Sequence, residues 1–257
     1  MNLFETVLAP VGLGAARIDL KLDQAEVHAG EIVTGHFLIT GGKAEQDIEG
    51  LSVFFMMESH HAKSLGTILE KIATIHISKD EFELDSGEVR KYPFQFQCPD
   101  DLPPSSVNTK YFFISNLEIK HAMDAHDRDF LKVRPSKKLE NYYLAMKQLG
   151  FKQIGEGLIP SEDGSFAQWI QYRPTTYFYG KFEEISFYYS QYKNQKEIQG
   201  VFDIVWKEKN ASSYLSFLQQ KEQTHSFTLT EETLRSEEIT KQTIEAMIRQ
   251  ELVNNQS

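Results

Sequence analysis

Cysteine is almost missing: Cys98 is the single one in the chain. One thiol can form neither an intramolecular disulfide nor a multi-cysteine zinc site, and its presence fits a reducing compartment. Cations are in deficit, with 27 Lys and Arg against 37 Asp and Glu, a formal charge of −10. A surface that acidic repels phosphate backbones and anionic headgroups, so no nucleic-acid partner is expected. No apolar run approaches the roughly 20 residues that span a bilayer, so no transmembrane segment is expected either. Before Arg17 there is no basic residue, and the charged start of a secretory signal is lacking. A cytoplasmic protein is the expectation. There is no phosphate loop, no Gly-x-Ser-x-Gly elbow and no His-Glu-x-x-His pair. Gly155-Glu156-Gly157 lacks the third glycine of a dinucleotide fingerprint. The expectation is a protein with no catalytic residue, cofactor or metal.

What is present is aromatic and alternating. Hydrophobic residues make up 40% and charged residues 25%, enough apolar mass for a packed core. Eighteen Phe and eleven Tyr favour the pleated surface of a sheet. Met1 to Ala16 reads as a short amphipathic helix ending by Pro10, followed by a Gly-containing lead into the first strand. This N-terminal segment is a candidate homodimer contact. Ile18, Leu20 and Leu22 then alternate with Asp19, Lys21 and Asp23, as a half-buried strand requires. Further strands are expected at Ile32 to Thr40, Ile48 to Met57, Lys71 to Ser78 and Tyr92 to Cys98. Tyr111 to Ile114 and Leu117 to His121 form the next strand or pair, and Phe130 to Val133 closes the series. Short strands with turn signals and no helix between them indicate an antiparallel sandwich.

Ser136 to Leu149 changes period, with Leu139, Tyr142, Tyr143, Met146 and Leu149 on one helical stripe. Strands return at Phe166 to Tyr172, Tyr177 to Tyr192, Glu197 to Trp206 and Ser226 to Leu229, with a helical piece at Ser212 to Gln220. A last helix begins at Ser236, whose hydroxyl can cap the first turn. The expected organisation is a sandwich over residues 1–134, a linker helix over 135–150 and a β-rich domain over 151–257 ending in a helix.

Several segments of the first half carry a resemblance. They are Val11-Gly12-Leu13-Gly14-Ala15-Ala16, Val27-His28-Ala29-Gly30-Glu31-Ile32-Val33-Thr34-Gly35, Gln46 to Leu51, Tyr92-Pro93-Phe94-Gln95-Phe96 with Leu102-Pro103-Pro104-Ser105, and Met123 to Phe130. In this order they resemble the arrestin clan, and more closely the bacterial sporulation-control family, stage zero sporulation protein M. The resemblance implies an arrestin-like antiparallel β-sandwich followed by a β-rich domain. It also implies a regulatory or scaffolding role through protein–protein contacts rather than catalysis, and it places the aspartates of 123–130 in a loop between strands.

The densest chemistry is His121, Asp124, His126, Asp127 and Asp129. Imidazoles and carboxylates so close are the donors of a divalent-metal site, and a metal-dependent hydrolase is the rival function. Turn chemistry in a loop is the simpler account. His60 and His61 are adjacent, and neighbours on an extended chain point to opposite faces, so a solvated pair is expected. Trp169, Tyr172, Tyr177, Tyr179, Phe187, Tyr188, Tyr189 and Tyr192 form an aromatic set. Alternation sends about half of them into a core, and an exposed subset suits protein contact or, in a third reading, a carbohydrate or small ligand.

Overall fold

The structure, a computed structural model, describes residues 14–62, 66–120, 125–160, 166–191, 197–206 and 224–254. The N-terminal segment before Gly14, the piece expected at Ser212 to Gln220, and His121, Asp124 and Tyr192 lie outside these residues. The chain divides into two compact units. One comprises residues 1–59, 68–99 and 104–134; the other comprises 60–67, 100–103 and 135–257.

In the first unit the strands are β1 Arg17–Leu22, β2 Glu26–His28, β3 Ile32–Thr40, β4 Gln46–His60, β5 Thr67–Ser78, β6 Phe82–Leu84, β7 Val89–Gln97, β8 Lys110–Ile119 and β9 Ala125–Arg134. They form a sheet ordered β1-β3-β7 and another ordered β2-β9-β8-β4-β5, with β6 on β4. Nearly every pair is antiparallel, as alternation required. Among the pairs described, β2 differs and runs parallel to β9 from Glu26↔Lys132 to His28↔Arg134. Rings join the two sheets. Phe37 of β3 meets Phe94 of β7 edge-on at 5.4 Å, and Phe94 meets Phe113 of β8 at 5.3 Å. Phe55 of the central strand β4 lies 4.8 Å from Phe113 and 5.0 Å from Phe96. Each fully buried Phe removes enough apolar area to contribute about 2–3 kcal/mol. Pro93 falls on β7, an edge strand, where a missing donor is tolerated.

Of the strand or pair expected between Tyr111 and His121, the structure has one unbroken strand, Lys110–Ile119. Two expectations need correction here. The closing strand starts at Ala125, not Phe130, so Asp127 and Asp129 lie within β9 and not in a loop. The expected strands also omit β2 and β6, each only three residues long and too short to show a period.

The second unit holds helix α1 Lys137–Gln148, strands β10 Phe151–Pro160, β11 Phe166–Pro174, β12 Glu184–Gln191, β13 Glu197–Val205 and β14 Thr224–Thr230, and helix α2 Glu237–Asn254. The strands form a five-stranded antiparallel sheet in sequence order. Both helices bury one stripe against it. Leu139, Tyr142 and Met146 of α1, and Ile244 and Ile248 of α2, join Ile170, Phe187, Phe202 and Phe227 in one core. Ser136 Oγ accepts the Leu139 amide at 3.4 Å, and Ser236 Oγ accepts that of Ile239 at 3.4 Å, so a serine caps each helix start. The strand expected from Tyr177 begins only at Glu184; residues 175–183 form a turn instead. β10 was not anticipated, because Gly155 and Gly157 interrupt its pattern. A Cβ on Gly157 would lie 2.7 Å from the Ala62 backbone, which enforces glycine there.

Candidate functional site

Asp127 and Asp129 share one face of β9, and that face also carries Leu131 and Val133 into the core. Their partner is a residue the sequence reading missed. Asp19 of β1 brings its carboxylate into the group, and the oxygens of Asp19, Asp127 and Asp129 lie within 4.8 Å of one another. These residues stand more than one hundred positions apart in sequence, so spacing gave no sign of the association. The cause is an edge. β1 pairs with β3 on one side only, and Asp127 Oδ2 accepts the free Leu20 amide at 3.2 Å. Asp127 Oδ1 also accepts the Arg128 amide at 2.9 Å.

Three carboxylates this close cannot all stay ionised cheaply. Burial, then the charges of Asp127 and Asp19, push the Asp129 carboxyl up to about 7. Asp129 Oδ2 is occluded and has no partner while the group is ionised. Protonated, Asp129 becomes a donor toward Asp127, which resolves both the charge and the orphaned oxygen. Lys21 sits beside the group and bonds Asp19 at 2.7 Å; that bond raises the ammonium above its ordinary value.

His126 does not join. It follows the other face of β9, opposite Asn116, while Asp127 stands opposite Ser115. The expected five-residue cluster is therefore split among the described residues. Two aspartates face the sheet interior with Asp19, and one histidine faces away. A calcium-like ion takes about six to eight oxygens. The described chain brings three carboxylates together. The arrangement raises the proton affinity of Asp129, and through Asp127 it ties the edge of one sheet to the other.

The remaining candidates disperse. His60 ends β4, and His61 makes an isolated bridge to Leu158. Gly155-Glu156-Gly157 is strand, not a phosphate-cradling turn. Tyr172, Phe187 and Tyr189 are core. Trp169 and Tyr188, paired across β11 and β12, occupy the opposite face of the sheet. Tyr177 and Tyr179 project from the turn before β12, 53% and 72% exposed.

A second polar group lies under α1. Tyr143 donates to the Tyr189 hydroxyl at 3.2 Å, and Tyr189 donates to Gln168 Oε1 at 2.7 Å. The Tyr142 and Tyr172 hydroxyls are neighbours, yet neither makes a hydrogen bond of good geometry. Burial pushes all four phenols well above their ordinary value.

The profile of the family described as SpoOM protein, Spo0M, matches residues 4–204. The chain belongs to the Spo0M family. It is similar to the sporulation-control protein spo0M of Bacillus subtilis strain 168, with 30% identity over 158 residues. The match spans 59% of this chain and 59% of that relative's length. The crystal structure of Spo0M, sporulation control protein, from the same species superposes with a TM-score of 0.75 at 21% identity. That superposition covers 92% of this chain and 99% of the other. The fold is thus the mainly β, arrestin-like architecture of the Spo0M family. No helix among the described residues is long and apolar enough to cross a membrane.

Proposed function

We propose that this Spo0M-family chain is a non-enzymatic regulatory protein acting in the cytoplasm through contacts with other proteins. Family membership supports the regulatory part, because the curated relative is a sporulation-control protein. The observation that carries the contact part is β5. It is a twelve-residue strand at the end of its sheet, rich in Thr and Ile and free of proline. A long open edge is a template for an added strand from a partner, and proteins that do not use such an edge usually shorten or block it. The single buried thiol of Cys98 is compatible with a reducing compartment. The N-terminal segment is the proposed homodimer contact, and residues 134 and 150 are the proposed domain boundaries.

The test is affinity capture from the native host with the whole chain, beside a variant carrying Ala73→Pro in β5. Reproducible partners lost from the variant support the reading. A wild-type chain that recovers no reproducible partner overturns it.

A further inference from the structure

Of the strands that end a sheet among the described residues, β5 is the longest. Thr67, Leu69, Glu70, Lys71, Thr74 and His76 along it are exposed. The Lys71 ammonium lies 5.2 Å from the Phe54 ring centre, which puts the odd-numbered residues of β5 on the face of Phe54. That face is apolar. It carries Leu69, Ala73, Ile75 and Ile77, and Phe54 packs there against Met56, Phe112 and Ile114. The even-numbered face carries Glu70 and His76.

A second copy of this chain fits the edge in one register. Two copies joined through the same strand are related by a two-fold axis. For antiparallel strands that axis stands perpendicular to the sheet, so each side chain keeps its face and one residue lies opposite itself. With Glu70 or Lys71 on the axis, like charges meet, which is unfavourable. With Ile72 there, Glu70 meets the partner's Thr74, and Ile68 meets the partner's His76. With Thr74 there, Glu70 meets the partner's Ser78, and Ile72 meets the partner's His76. Ala73 on the axis resolves these mismatches. Glu70 then meets the partner's His76, Leu69 meets the partner's Ile77, and the smallest side chain of the strand lies at the centre. An imidazole N–H can donate to a carboxylate whether the ring is neutral or charged. We infer that β5 joins two copies of this chain edge to edge and antiparallel, with Ala73 on the axis and Glu70 against the partner's His76. The inference rests on the reading of β5 as a contact edge and names a second copy as its occupant.

The test is sedimentation equilibrium of the full chain over a wide concentration range. Beside it run Ala73→Pro, Glu70→His, His76→Glu and the double exchange of the last two. The wild type should form a concentration-dependent dimer, and Ala73→Pro should abolish it. Glu70→His sets imidazole against imidazole and His76→Glu sets carboxylate against carboxylate, so each should weaken the dimer about fivefold. The double exchange restores unlike partners and should return to within about twofold of the wild type, a rescue specific to this register. A chain that stays monomeric overturns the inference. So does a dimer that Ala73→Pro leaves intact, or a pair of single losses that the double exchange does not repair. Affinity capture separates this failure from that of the parent reading. A monomeric chain whose captured proteins are lost with Ala73→Pro refutes the self-pairing and leaves contact with other proteins standing. A dimer that shows the rescue but captures no other protein does the reverse.

Discussion

The first unit gathers its partly buried polar groups as carboxylates, Asp19, Asp127 and Asp129, at a seam between sheets. The second gathers them as phenols, Tyr142 and Tyr143 of α1 with Tyr172 and Tyr189 of the sheet it packs on. The difference is one of protons. A crowded carboxyl near 7 exchanges its proton in the range where cells live, so the first unit's stability is linked to pH. A phenol raised by burial stays neutral throughout that range, so the second unit's polar group is insensitive to pH and depends on geometry alone.

The largest effects should test whether each core belongs to its own unit. Phe187→Ala removes a ring that touches Tyr142, Tyr172, Phe202 and Phe227. A loss of about 3–5 kcal/mol is expected, seen as faster hydrogen exchange in β10–β14. Phe113→Ala should cost a similar amount, with the exchange rising in β3, β4 and β8. Exchange that rises equally in both units after either change would erase the contrast.

Asp129→Asn tests the proton itself. The folded carboxyl sits at about 7 against an ordinary value of 3.8. The neutral acid is favoured by folding, so its contribution is complete below about 4 and is lost as pH rises toward 7. Because the group is half-buried, solvent screening leaves on the order of 1–2 kcal/mol. Denaturant midpoints should therefore fall between pH 4 and pH 8 for the wild type and fall less for the variant, which ends more stable at pH 8. Ser136→Ala should cost about 1 kcal/mol by uncapping α1, read as fraying of its first turn. The smallest effect is Tyr142→Phe. Its hydroxyl has no well-made bond, so its removal should be neutral or slightly stabilising, within about 0.5 kcal/mol in the urea midpoint. A clear loss would show that the hydroxyl is satisfied after all and that the phenol group holds α1 by more than packing.

Much of this was legible from alternation. β1, β3, β7 and β13 announce themselves because one face is more buried than the other and the period of two survives, while β4 shows as an apolar run buried on both faces. β10 was hidden because close approach of the Ala62 backbone demands glycine where a pattern would show side chains. The candidate site was half legible. Asp127 and Asp129 were singled out, but they were read with His126 because neighbours in sequence look like neighbours in space. Strand geometry sends His126 the other way, and the partner that matters, Asp19, arrives through sheet packing that no local pattern encodes.

Cys98 is 1% exposed, its amide bonds the Glu31 carbonyl at 3.0 Å, and its carbonyl accepts the Gly30 amide at 3.1 Å. No other thiol in the chain competes with it. A colourless reagent that gains colour on meeting sulfur would therefore stay dark until the end of β7 parts from the Gly30 turn. The rate at which colour develops would clock the opening of that one corner, with no label and no mutation.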